Sequence, residues 1–565
     1  MKLTDYVILL LTLLLYEPIN RLNTESWLSN FYIKVSSWSN ILSNHSSANI
    51  IKKNSDNPEL LHTQVLSIIL DNETFLKAYI HDNRQIYWAR VQIFLLISFG
   101  ILSNHLLNWD LIDAQNYLRN FIFLIAILLA WKSITLDYDV VMVNNLIPER
   151  ILLILITIGV YHYPGLIWSY IFIINCLGAW THHAMMPIRI LKMFSTYIVT
   201  QILFRFFIFI FNMKHNITIT PIIILIFSVQ SSHYFIPGLS KLQLGEKWYS
   251  WLLNNSTHYL IVSAYNWGWL QFLSEKLVVN VIKKISFFNK QINFLTVFIE
   301  CGTILMLNKP EICVFLLAGC TFLNLGIFLT SGICFWEYMI TNILMILVVY
   351  KMDNTTLAEV FSLKSLILYI VILLLFPVRG KGWSPIRLAW WDTPFISKIN
   401  YQVIGTSGKI YGLYNNFMCP YERLYGRTHG YFLVDEKIVH GHLGIVWYKY
   451  IQDLIIESKG DRYKIQYIKD RFGKNCRDLN KELEHEKYLI DFFCQLNSGV
   501  KKNILPNCLS WLKAPGGQFF YWGVFPSYNR QEPIMKILIF YEEKYFDGNT
   551  IKILTNQLVK TIEIQ

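Results

Sequence analysis

Apolar and polar positions fall in long blocks along the first two thirds of this chain. Apolar runs recur near residues 89–107, 119–135, 150–164, 166–180, 194–212, 217–236, 257–273, 291–307, 311–330, 333–350 and 358–377. A straight membrane crossing needs about 20 such residues, and several runs fall short, so the pattern predicts about eight to eleven spans. An earlier run, Tyr6 to Tyr16, is shorter still, and the EPINRL that follows is no cleavage site. It reads as a retained short helix rather than a signal peptide. Residues 17–75 are polar and read as loop or small extramembrane helices.

The pattern changes after Leu375, where FPVRGKGWSPIRLAWWDTPF introduces Pro, Gly and charge. Beyond it KIYGLY, HGYFLV, IVHGHLGIVWY, YKIQYI, QFFYWGVF, MKILIFYEE and TIKIL read as short strands, with a hairpin loop at Asp435–Lys437. Leu479 to Asn497 has the period of a helix. The expected organisation is an N-terminal helix and polar region (1–79), a transmembrane domain (80–377) and an extramembrane domain (378–565). The fold class is a polytopic α-helical membrane protein with a C-terminal β-rich α+β domain. It is expected to sit in the lipid bilayer as a multi-pass protein.

Composition supports the blocks. Hydrophobic residues make up 54% of 565 and charged residues only 16%, where a soluble protein has about 25% charged. The net charge of +12 suits basic cytoplasmic loops. No basic, aromatic-interleaved face points to nucleic acid. EKLVVNVIKKISFFNK, with four lysines, is expected to lie along the cytoplasmic interface. The two halves show no internal repeat, which weakens a transporter reading. Of nine cysteines, Cys419, Cys476, Cys494 and Cys508 lie beyond the apolar region. They allow two disulfides if that region is extracytoplasmic.

Ionisable side chains inside apolar runs are costly, and tend to face a cavity or a partner. Here they are Arg205, Glu300, Glu337, the His182–His183 pair, and His233 and Lys241 around HYFIPGLSKLQLG. Each also has a plain reading. Arg205 snorkels or pairs with Glu300, the two histidines sit in a surface loop, and Lys241 anchors a helix end. Pro237 and Gly238, just before Lys241, are expected to break the helix and turn the lysine into a pocket. Glu300 is expected within reach of Arg205 or another buried polar group.

YFIPGLSKL, Tyr234 to Leu242, resembles a signature of the vitamin-K-dependent gamma-carboxylase family and its horizontally transferred transmembrane (HTTM) domain relatives. Trp248, NWGWLQFL, FIECGTILMLNKPEICVFLLAG and NLGIFLTSGICFWEYMI follow in the same order. The likeness covers roughly residues 80–345. It implies Lys241 as the base that deprotonates a reduced quinone of the vitamin K or menaquinol type. That quinol, O2 and CO2 carboxylate glutamates of a bound polypeptide. His182 and His183 are candidates for the family's other functional histidine. From their places in the apolar runs, His233 is a second catalytic candidate beside Lys241, and Arg205 and Glu300 join the two histidines as candidates for holding the quinone. Ser240 and Asn324 depart from the pattern, standing where relatives carry lysine and histidine.

GTSGK, Gly405 to Lys409, is not a P-loop, because its spacing is wrong and a strand follows. His440 and His442 would share a strand face, with His429 as a third nitrogen for a metal. Ordinary surface histidines are the favoured account, and no metal is predicted. An exposed strand could instead grip a peptide. Two functions from different classes result. One is a quinol-using, carboxylase-like enzyme acting on a peptide or protein substrate. The other is a non-catalytic maturation or immunity factor that binds a lipid or peptide.

Overall fold

The computed structural model describes residues 3–24, 83–106, 116–135, 137, 146–178, 185–210, 219–378, 383, 385–414, 417, 430–500 and 505–564. Every apolar run named above contains a helix. Among the described residues, four helices are long and apolar enough to cross a membrane: Asn116–Thr135, Pro187–Phe207, Thr220–Leu242 and Pro310–Ser331. A fifth is added if Asn354–Val360 and Leu363–Leu375, bent by 51° across Ser362, count as one span. This is fewer than the eight to eleven expected. The shortfall comes from length: Ile147–His162 has 16 residues, Ile167–Gly178 has 12, and Tyr259–Trp267 has nine.

Burial differs widely among the long helices. Thr220–Leu242 is 89% buried and runs through the centre of the bundle. Pro310–Ser331 is more apolar, yet only 28% of it is buried. Phe315, Phe322 and Leu329 point outward from it. The N-terminal helix, Leu3–Thr24, buries Ile8, Leu13 and Tyr16 in the same core. It therefore belongs to the bundle rather than lying apart. Glu275–Phe287 is amphipathic, as the lysine-rich sequence implies. Its Ser274 cap accepts from Leu277 N–H, Val278, Val279 and Ile282 face inward, and Leu277 and Phe287 face out.

The C-terminal part contains one four-stranded antiparallel sheet. Phe395–Gly405 lies between Ile410–Gly412 and Ile534–Phe546, and Ile551–Glu563 closes the other side. Phe395–Gly405 alternates buried and half-buried positions, the period-two pattern of a sheet with one face covered. The cover is the Leu479–Asn497 helix, whose Leu489, Phe492 and Phe493 join Tyr401, Ile537 and Ile539 in one core.

Several short runs differ from their sequence reading. YKIQYI is helical, inside Arg462–Phe472, because Ile465, Ile468 and Phe472 fall on one buried helical face. Gly430–Leu433 is a 3-10 turn. QFFYWGVF is extended, with only the Ile333–Gln518 bridge of strand type. The turn at 434–436 makes no hairpin. It leads into Lys437–Ile438, which pairs with the distant Lys474–Asn475.

The two parts share packing and hydrogen bonds. Trp251 Nε1 donates to Trp390 O at 2.9 Å, and Trp383 Nε1 donates to Ser232 Oγ at 2.8 Å. Trp267 packs against Phe520 and His442. Gly268, at φ +108°, ends the Tyr259–Trp267 helix, and an added Cβ would lie 2.4 Å from Trp522 O. Glycine is what allows the C-terminal chain to approach there.

Candidate functional site at Lys241

The Thr220–Leu242 helix is not broken at Pro237–Gly238. It continues to Leu242, with Pro237 inside it. Proline removes one helical hydrogen bond, but a helix enclosed by neighbours tolerates that loss. Gly238 serves packing instead. A Cβ there would lie 2.8 Å from Glu300 Cβ and 2.9 Å from Cys301 Sγ. The missing side chain lets the Asn289–Gly302 helix come close, and so brings Glu300 to Lys241.

Lys241 is 8% exposed, and its Nζ donates to both carboxylate oxygens of Glu300 at 2.7 Å. The Trp251 ring lies 5.6 Å from the ammonium. Glu300 thus has the buried partner expected of it, and that partner is Lys241 rather than Arg205. Arg205 sits on the Met185–Ile210 helix, about 24 Å along its axis from Arg189 at 1.5 Å per residue.

A second carboxylate completes the surroundings. Asp392 comes from the C-terminal part, within the influence of the Lys241 charge, and is buried. Asn255 Nδ2 donates to its Oδ2 at 2.7 Å, and Trp390 Nε1 to its Oδ1 at 3.2 Å. Its own N–H donates to Asn255 Oδ1 at 3.0 Å. Burial pushes the Asp392 carboxyl up to about 7 from 3.8, against the opposing hydrogen bonds and the Lys241 charge. Asp392 was missed in the sequence because it sits in AWWDTPF, a segment read only as a boundary.

Other polar groups line the same helix. Tyr234 Oη accepts from Asn324 Nδ2 at 2.8 Å and from Asn342 Nδ2 at 3.0 Å, and Gln230 bonds to Asn342. Gln230, Tyr234 and Lys241 recur at four and seven residues, one stripe of a helix. Glu337 is buried and paired with Lys132. His233 faces another helix. Its Nδ1 lies 2.8 Å from Val229 O and its Nε2 2.9 Å from Arg189 Nη1. The carbonyl requires the proton on Nδ1, so Nε2 accepts from the guanidinium. Both ring nitrogens are engaged, and the ring faces Arg189 rather than Lys241.

His182 and His183 lie outside the described residues, as do His429 and Cys419. Cys476, Cys494 and Cys508 are free thiols. His440 is buried rather than on a surface strand. Its Nε2 accepts from Ser397 N–H at 2.9 Å and its Nδ1 donates to Gly441 O at 2.8 Å. Among the described residues no group of three His, Cys, Asp or Glu is placed to hold a metal ion.

Against known proteins, this chain matches no family model, no curated protein and no solved structure.

Proposed function

We propose that this chain is a multi-pass integral membrane protein with an acid–base site at one end of its central helix, and that the site is enzymatic, as the likeness to the carboxylases implies. The observation that carries the reading is buried Lys241, bound to the buried Glu300 carboxylate and within electrostatic reach of a second buried acid, Asp392. A proton passing from the ammonium to Glu300 leaves a neutral amine beside a carboxylic acid. The amine then takes a proton from a hydroxyl of a lipid-soluble substrate, leaving that oxygen anionic and the ammonium restored. Asp392, titrating near neutrality, is matched to relay the proton onward. A reduced quinone fits the substrate class, but in this closed arrangement the pair must open before a ring can reach Nζ. A peptide or protein would be the second substrate.

The closed pair also favours a second reading, a binding or maturation factor in which Lys241 and Glu300 only join two helices. Three variants separate the two. Lys241→Ala strands a buried carboxylate and is expected to cost about 3–5 kcal/mol. Lys241→Met with Glu300→Leu replaces the pair by apolar groups and is expected to keep the fold. Lys241→Arg keeps a bidentate ion pair but never supplies a neutral amine. The measurement is O2-dependent consumption of a reduced naphthoquinone by protein in nanodiscs. The enzyme reading requires activity in the wild type and its loss in all the variants, the stable ones included. Equal activity in Lys241→Arg makes the pair structural.

A further inference from the structure

A second cluster of charge meets the Thr220–Leu242 helix at His233, about two turns before Lys241, and the proposed reaction does not use it. Arg189 and Lys192 stand three residues apart on Met185–Ile210, so they share a face. Their charges are close enough to repel. Both lie in the N-terminal part of that helix, whose first turn carries no acid. Arg189 gives one N–H to His233 Nε2. Among the described residues no carboxylate pairs with Arg189 or with the Lys192 ammonium. Two interior lysines differ in this respect: Lys132 pairs with Glu337 and Lys241 with Glu300.

Two adjacent cations with no counter-charge are a costly arrangement between apolar helices. Snorkelling relieves a lone lysine or arginine by letting it reach outward. Arg189 is instead held inward by a histidine that is itself fixed on Val229 O. The Tyr338 ring packs edge-on to that histidine at 6.0 Å. The remaining guanidinium and ammonium donors suit a tetrahedral oxyanion, which a guanidinium binds through two parallel hydrogen bonds. Depth identifies the source. Arg189 is near the start of the candidate span Pro187–Phe207, the level at which headgroups meet a helix bundle. Basic pockets between helices at that level take anionic headgroups.

We infer that Arg189 and Lys192, with Arg189 positioned by His233, bind the phosphate of an anionic phospholipid between the Met185–Ile210 and Thr220–Leu242 helices. This rests on the membrane reading and on no reaction at Lys241. Native mass spectrometry of the full chain, released from nanodiscs of phosphatidylcholine mixed with phosphatidylglycerol, is the test. Wild type is expected to retain phosphatidylglycerol. Arg189→Gln and Lys192→Gln should each weaken retention about tenfold, the loss of one charge-assisted hydrogen bond. Lys192→Arg should keep it, as should the exposed control Lys364→Gln. If Arg189→Gln fails to fold, Lys192→Gln with its Lys192→Arg rescue carries the result. Lys241→Met/Glu300→Leu should also retain the lipid, which keeps this site's failure distinct from that of the proposed reaction. Unchanged retention in Lys192→Gln overturns the inference. So does stabilisation of lipid-free protein by inorganic phosphate with none from phosphatidylglycerol, since the anion would then not be a lipid.

Discussion

Asp392 carries the sharpest consequence at the scale of single residues. Its carboxyl is pushed from 3.8 to about 7, chiefly by burial. The folded value therefore lies above the unfolded one, and folding takes up a proton between them. Its stabilising contribution is complete below pH 3.8 and is lost as pH rises through about 7. His440 acts in the opposite sense. Burial lowers it from 6.5 to about 4, so its contribution is present above pH 6.5 and lost as pH falls through about 4. A pH scan of the wild type mixes the two. The difference between wild type and Asp392→Asn isolates the carboxylate. That difference should favour the wild type most at low pH and shrink steadily as pH approaches 7, measured as thermal midpoints. A difference that is flat, or that grows with pH, would show that Asp392 is ionised throughout. The sequence displayed Lys241 and Glu300, because a charge in an apolar run stands out. It hid Asp392 and Asn255, which become neighbours only when the C-terminal part folds back. Arg189 and Lys192 lie in PIRILKMF, mostly ahead of the 194–212 apolar run, and were not singled out.

Helices and strands were legible to different degrees, for a physical reason. A long apolar run has few alternatives to a helix, and Leu479–Asn497 matches its expected bounds. Short aromatic and β-branched runs are ambiguous, so YKIQYI took the helical option once Ile465 and Ile468 found a core. The Pro237–Gly238 expectation failed because it weighed local propensity alone. Nearly all of Thr220–Leu242 is enclosed by other helices, and that packing outweighs one missing hydrogen bond. The role assigned here to Gly238 is helix contact rather than bending. Gly238→Ala should therefore destabilise by about 1–3 kcal/mol, the usual cost of overpacking, because the new methyl meets Glu300 Cβ and the Cys301 backbone. Chemical denaturation of the purified protein checks this. A stabilised variant would mean that glycine's cost in a helix interior outweighs the crossing.

Across the whole molecule, the central proposal is that the helical bundle sits in lipid with the proposed acid–base site on the enclosed helix. The apolar residues of Pro310–Ser331 are mostly uncovered by protein, whereas Thr220–Leu242, with its stripe of Gln230, Tyr234 and Lys241, is covered. Exposed apolar surface of that extent on one helix calls for lipid or a partner. The C-terminal sheet and the Leu479–Asn497 helix bury their own core and need neither. Labelling in nanodiscs with a photoactivatable phospholipid, read by peptide mass spectrometry, tests this directly. The account predicts dense labelling at Phe315, Phe322 and Leu329, little along Ile222–Tyr234, and none on Leu479–Asn497. Labelling spread evenly over these three segments, or absent from Pro310–Ser331, would contradict it.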